Sequence, residues 1–261
     1  MVDCFDITCT ATLRPELLKV TLDSHIKYLF KKDAVKGRLI INVDVTGTKT
    51  TCKDEQVYLL QKIEEIVHET PFYEKVIRVS YIPNFPDAFN WCMRQTKTRM
   101  VFNLEEDWEM LLPIDFEKMW EVFKEQKNLV HLRLSAFRSE ENTLKNWNRF
   151  LRWNGKYYEV SEEERGIIGW AGHPSLNRTN FMYGCLVLID NKLNPEKQIK
   201  SRRYPHSMNH FLQEHRFGSF HLRSSPPAIK DIGRQWMILN GWEKAGNKAF
   251  FTHWQRKKGN K

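Results

Sequence analysis

The run "TRMVFNLEEDWEM", residues 98 to 110, sets Glu105, Glu106 and Asp107 directly behind the apolar residues Val101, Phe102 and Leu104, and Trp108 closes the group. Three adjacent carboxylates repel one another, so something must offset that repulsion. Two chemistries can. The acids can stay solvated on a surface turn or cap a helix, where the backbone dipole favours negative charge. Alternatively they can hold a hard divalent cation, which prefers carboxylate oxygen. The turn by itself is compatible with both, and the elements around it have to decide.

Those elements alternate. "FDITCTA" (5 to 11) reads as a strand, and Arg14-Pro15 opens a helix with Leu18, Leu22, Ile26 and Leu29 on one face. "RLIINVDV" (38 to 45) is nearly continuous in apolar residues, as a buried parallel strand should be. A helix with Leu60, Ile63 and Val67 on one stripe follows, then a strand "KVIRVSYI" (75 to 82), a helix over 86 to 97 and a strand "MVFNL" (100 to 104). This βαβαβαβ order specifies an open, mostly parallel α/β sheet. A helix over 114 to 126 and a strand "LVHLRLS" (129 to 135) continue it, and a less regular stretch with Trp147, Trp153 and Trp170 comes after. With no repeat or linker, one domain over 1 to 261 is the economical reading. Ligands of such sheets bind beyond the carboxyl ends of the strands. Polar residues gather there: Thr10 and Thr12 after the first strand, Asp44 and Thr46 after the second, Glu105 to Asp107 after the fourth.

Composition narrows the function. With 41% apolar and 13% aromatic residues the 261-residue chain is globular, not disordered. Its apolar runs are too short to span a bilayer and its N-terminus lacks the basic start of a signal peptide, so a cytoplasmic protein without a membrane partner is expected. Five scattered cysteines with no CxxC pair indicate neither a disulfide framework nor a zinc site. The formal charge of +9 favours an anionic partner: nucleotide phosphate, nucleic acid or an anionic membrane surface. The excess lies late, in "IKSRRYPH" (199 to 206), Arg216, Arg223 and the tail "HWQRKKGNK".

The succession "TCTATLRPELLKVTLDSHIKYL", "IINVDVTG" and "IPNFPDAFNWCMRQTKTRMVFNLEEDW" resembles the nucleotide-sugar half of the GT-A glycosyltransferases, in their family-two-like group, over roughly residues 5 to 110. "GHPSLNRTNFM" (172 to 182) resembles the acceptor-side segment of that group, which makes 1 to 110 the donor half and 111 to 261 the acceptor half. The resemblance implies that the loop from Thr10 through Thr12 to Arg14 wraps the nucleoside and that Asp44 meets uracil or ribose. It also implies that Glu105 and Asp107 face Mn²⁺ or Mg²⁺, with Glu106 between them pointing away. Such a cation bridges protein and diphosphate and neutralises the leaving group. The chain departs from the group at Pro86 in "NFPDAFN" and in "EED" for the commoner aspartate pattern.

Of the histidines at 206, 210, 215 and 221, His221 matches the late histidine that GT-A enzymes often add to the metal. Many inverting relatives set an acidic base ahead of a late helix; in the corresponding "YPHSMNHFLQEHRFGSFHL" the groups available are Glu214 and His210. Arg234 in "DIGRQW" could clamp a diphosphate. The tryptophans could stack on a sugar or base, with core packing the role of at least one. The expected activity is transfer of a sugar from a UDP-sugar donor to a hydroxyl. "LEEDW" resembles the motifs of viral enzymes, and with the basic charge this resemblance implies double-stranded DNA with modified bases as acceptor, as in phage hydroxymethylcytosine glycosyltransferases, with Lys200, Arg202, Arg203 and Arg216 on the phosphates. Building a surface or capsular glycan is the alternative within the same chemistry. A non-catalytic nucleotide- or nucleic-acid-binding module is the alternative of another class.

Overall fold

The sheet is built outward from Gly37–Asp44 (β2), a strand buried at every position. Phe5–Thr12 (β1) and Glu74–Ser80 (β3) pair with it in parallel, and Met100–Glu105 (β4) pairs in parallel with β1. Helices Pro15–His25 (α1), Lys53–His68 (α2) and Phe85–Arg94 (α3) connect them. The computed structural model describes residues 4–30, 36–46, 52–137, 150–199, 206–220, 227–245 and 253–256. β3 stops two residues sooner than the apolar pattern predicts: Tyr81 and Ile82 lie beyond it, 74% and 86% exposed. Proline favours the first turn of a helix, and α1 and α3 both carry one there. Asn84 caps α3, its Oδ1 accepting from the Asp87 N–H at 3.3 Å.

The second half extends the sheet with mixed direction. Trp108–Met110 (β5) leaves the acidic turn, then come Phe116–Glu125 (α4), Leu129–Arg133 (β6), Ala136–Phe137 (β7), Leu151–Trp153 (β8), Tyr158–Val160 (β9) and Ser175–Arg178 (β10). Arg216–Ser219 (β11), Ile229–Asp231 (β12) and the hairpin Trp242–Ala245 (β13) with His253–Arg256 (β14) complete the strands. The main sheet runs β3-β2-β1-β4-β10-β6-β11-β9-β8, with β10 antiparallel to both β4 and β6. A smaller sheet runs β5-β12-β7.

Strand alternation supplies both faces. On β4, Phe102 and Leu104 join a core with Leu18, Leu22, Ile63, Val67 and Phe123 from α1, α2 and α4, while Val101 joins a second core on the opposite face. That second core takes Phe89 of α3, Phe181 and Cys185 of the helix Thr179–Leu188, and Met208 and Leu212 of the helix His206–Gln213. Each such side chain contributes roughly 1.5–3 kcal/mol by leaving water. All five cysteines are free, with Cys9, Cys92 and Cys185 buried. Trp170 is core, 1% exposed, and donates its indole N–H to Asn177 Oδ1 at 3.3 Å; Trp153 is exposed. Trp147 lies outside the described residues. Among the described residues no helix is long and apolar enough to cross a membrane.

Candidate functional site

Register places the site. β1 lies between β2 and β4, with Thr12 opposite Asp44 and Thr10 opposite Glu105. The carboxyl ends of three neighbouring strands therefore carry Asp44 and the acidic turn on one edge. The turn at Glu106 and Asp107 sends the chain from the main sheet into the smaller one, where Asp231 pairs with Trp108.

Within the turn the three acids have different surroundings. Glu106 is 4% exposed and turned inward: its Oε1 accepts from Thr12 N–H at 3.1 Å, Thr12 Oγ1 at 2.8 Å and Arg14 Nε at 3.0 Å, and it is ion-paired with Arg14 Nη2. Its backbone is fixed as well, the N–H donating to Thr10 O at 3.2 Å and the carbonyl accepting from Thr21 Oγ1 at 2.6 Å. Glu106, expected between the two metal-facing acids and pointing away from their side, turns its carboxylate to Thr12 and Arg14. The cause is Arg14, a guanidinium buried at the start of α1 that must meet a carboxylate.

Asp107 Oδ2 accepts from the same Nη2 at 3.2 Å, and Ile232 N–H donates to its carbonyl at 2.9 Å. Burial, with the charge of Glu106 and of Asp231, pushes the Asp107 carboxyl up to about 7 against the pull of Arg14. Glu105 accepts from Trp108 Nε1 at 3.1 Å through Oε2; burial pushes its carboxyl well up, and the charges of Asp107 and Glu196 add to that. Burial opposes the charge on Arg14, but Glu106 and Asp107 outweigh it and hold the guanidinium protonated. The Trp236 ring covers it at 5.5 Å and donates its Nε1–H to Glu16 at 2.8 Å.

Asp44 is buried and doubly engaged: Oδ1 accepts from Asn42 Nδ2 at 2.8 Å and Oδ2 from the Asn84 N–H at 3.0 Å. Burial raises its pKa, and those two donors oppose the rise. The carboxylate thus ties the end of β2 to the start of α3 while keeping lone pairs for a ligand. Thr12 and Arg14, expected to wrap the nucleoside, hold the acidic turn in place; Thr10 lies opposite Glu105.

The remaining expected residues separate. Arg234 is exposed on the helix Gly233–Leu239, one residue from Gly233, whose backbone abuts Asp107. His210 and Glu214 pair with each other at 3.3 Å, 71% and 59% exposed, because Met208 and Leu212 turn the other face of their helix into the second core. As base candidates both stand on that exposed face. Arg216 is not an open phosphate contact: Nε and Nη2 fork onto Glu159 at 2.6 and 2.5 Å and Nη1 donates to Gln126 at 3.0 Å. His221, Lys200, Arg202 and Arg203 lie outside the described residues.

One acid was missed by the sequence reading. Glu196, in the first turn of the helix Pro195–Ile199, lies against Gly172 together with Glu105: a β-carbon on Gly172 would stand 3.4 Å from Glu105 Oε1 and 3.5 Å from Glu196 Cδ. Asn103 holds that segment by donating to Gly172 O at 2.5 Å. The glycine in "GHPSLN" was the only signal, and it names no partner.

Among the described residues no three His, Cys, Asp or Glu side chains converge into a metal group. Glu105 and Asp107 are carboxylates, the donor type a hard cation takes, and the charge of Asp107 raises the Glu105 pKa; a diphosphate would have to supply further oxygens.

No protein-family model matches the chain, and no curated protein does. Solved structures do. Staphylococcus aureus TarS 1–349 in complex with UDP aligns with a TM-score of 0.53 at 11% identity, over 87% of this chain and 60% of that one. The same protein in complex with UDP-GlcNAc gives 0.52 at 12%, over 87% and 58%. The fold is that of the GT-A glycosyltransferases. The mannosyltransferase PcManGT from Pyrobaculum calidifontis, in complex with GDP-Man and Mn²⁺, aligns at 0.48 with 10% identity over 74% of this chain and 49% of that one. The chain thus spans about half to three fifths of these neighbours.

Proposed function

We propose that the chain transfers a sugar from a nucleoside diphosphate sugar, UDP-linked, to a hydroxyl acceptor, with Mn²⁺ or Mg²⁺ held by Glu105 and Asp107. The register of β1 carries this reading: it sets Asp44 and the acidic turn on the same sheet edge, two strand spacings or roughly 10 Å apart, a gap that a nucleoside diphosphate bridges. The UDP and UDP-GlcNAc complexes of the TarS neighbours support the choice of donor.

In this reading Asp44 accepts an N–H of the base or a ribose hydroxyl. Glu106 and Thr12 keep the turn in one conformation, and Trp108 orients Glu105 through Oε2. A bound cation supplies charge neutralisation of the departing diphosphate. Glu196, coming from the acceptor half and standing beside Glu105, is a further candidate for the acceptor's proton beside His210 and Glu214.

For the acceptor, a surface or capsular glycan is one reading; Arg216, which spends its guanidinium on Glu159 and Gln126, adds nothing for phosphate. A modified DNA base is the second reading, supported by the +9 charge and the run around Arg202 and Arg203. Labelled UDP-sugars offered to oligosaccharides and to hydroxymethylated DNA separate the two. If DNA is the acceptor, binding falls steeply with salt, and neutralising Arg202 and Arg203 together weakens DNA binding while donor hydrolysis persists. Metal-dependent hydrolysis of UDP-sugar excludes a purely binding module. Its absence, with no transfer to either acceptor and full UDP binding, would leave that module standing. Asp107→Asn should abolish transfer with the fold intact, and full activity in that variant or in excess chelator would return the turn to a structural role.

A further inference from the structure

We propose that Arg14 is a resident counter-cation of the acidic turn, which a divalent ion must displace from Asp107, so that the protein takes up the ion strongly only together with a nucleoside diphosphate. This rests on the reading of Glu105 and Asp107 as metal-facing carboxylates.

The contacts of Arg14 are unequal. Glu106 Oε1 receives both Nε and Nη2, whereas Asp107 Oδ2 receives Nη2 alone, at 3.2 Å. Glu106 cannot follow the guanidinium, because Thr12 holds its carboxylate and Thr10 and Thr21 hold its backbone. Arg14 therefore has one permanent partner and one it can release. Trp236 covers the guanidinium, itself tethered to Glu16, so release amounts to a small rotation about the Glu106 contact rather than departure into solvent.

The competition follows from charge. A dication approaching Asp107 meets a guanidinium already bonded to Oδ2 and repelling it at short range in a buried site. A diphosphate relieves both effects: it adds negative charge for the ion, and it offers oxygens that a freed N–H can donate to. Ion and nucleotide then bind with positive coupling, and because binding free energies are reciprocal each strengthens the other by the same factor. Arg14 sets the size of that factor.

Two substitutions should move it in opposite directions. Arg14→Lys keeps the charge beside Glu106 but loses the planar fork that reaches both acids at once, so Asp107 is released. Glu106→Gln removes the permanent partner and leaves Arg14 to Asp107 alone. Mn²⁺ binding is read from the loss of the free-ion electron paramagnetic resonance signal, on variants whose thermal melts show a folded chain, with and without UDP. We expect weak binding to the wild-type chain and at least about ten-fold tightening by UDP. Arg14→Lys should bind Mn²⁺ alone several-fold more tightly, with a smaller gain from UDP, and Glu106→Gln should bind it more weakly. If both variants shift in the same direction, or neither shifts, Arg14 is only a structural tie and the inference fails. If the wild-type chain binds UDP by calorimetry but takes up no Mn²⁺ under either condition, the metal reading itself fails and the inference with it.

Discussion

The backbone of Gly233 lies against the carboxylate of Asp107 so closely that a β-carbon at 233 would stand 1.9 Å from Oδ2 and 2.5 Å from Cγ. The C-terminal part of the chain thus forms one wall of the acidic turn.

Gly233→Ala should therefore displace Asp107. The substitution is expected to cost about 1–3 kcal/mol of stability, the usual penalty for overpacking a filled site. It should also reduce metal-dependent hydrolysis of UDP-sugar at least ten-fold, because the displaced group is a proposed ion ligand. Thermal denaturation together with the hydrolysis assay checks both, and an active, fully stable variant would show that the turn yields freely.

Asp44 ties β2 to α3 and is also the proposed nucleoside acceptor. Asp44→Ala removes the acceptor for the Asn84 N–H as well as the ligand contact, so it should loosen the start of α3 and raise the dissociation constant of UDP. Loss of one hydrogen bond to a charged group predicts a weakening of about 1.5–3 kcal/mol, or roughly ten- to a hundred-fold. Calorimetry with UDP measures it, and unchanged affinity would confine Asp44 to its tie with Asn84.

His25 gives the fold an acid limit. It is fully buried, Nδ1 lies 2.8 Å from Thr21 O, and burial pulls its pKa down from 6.5 to about 4. The folded state favours the neutral ring, so its contribution is complete above pH 6.5 and is lost as the pH falls from there towards 4. By the lower end the loss is on the order of 3 kcal/mol. Urea denaturation between pH 4 and 7 should show this slope, and His25→Leu should flatten it.

Arg216→Ala should lower stability by about 1 kcal/mol, the scale of a partly exposed forked ion pair, and leave DNA affinity unchanged. A salt-dependent loss of DNA binding in that variant would instead show that the Glu159 contact opens for phosphate.

The strands and helices of the first half were legible because buried parallel strands and one-sided helices leave strong periodic signals, as in "LIINV" and in Leu60, Ile63 and Val67. The position of the acidic turn was legible for the same reason, through the apolar run of β4. The orientation of each acid was not. Alternation stops counting once the chain turns, and Glu106 faces inward on account of an arginine ninety-two positions earlier. Glu196 was hidden likewise, since only the packing of a short helix onto Gly172 brings it beside Glu105. The four residues of β10, "SLNR", with Leu176 alone apolar, carry too little pattern to announce a central strand.

That strand has a mechanical consequence. Ser175–Arg178 is hydrogen-bonded to β4 along one side and to β6 along the other, so it stitches the first hundred residues to the rest without a seam. In the proposed reaction, donor and acceptor would therefore meet on one continuous sheet instead of between lobes that swing together. Severing the chain after residue 110 would strip β4 of its neighbour and bare a row of unsatisfied amides and carbonyls in an apolar strand, a surface that sticks to itself. Residues 1 to 110 are therefore expected to precipitate when produced alone and to become soluble when the remainder is supplied alongside them.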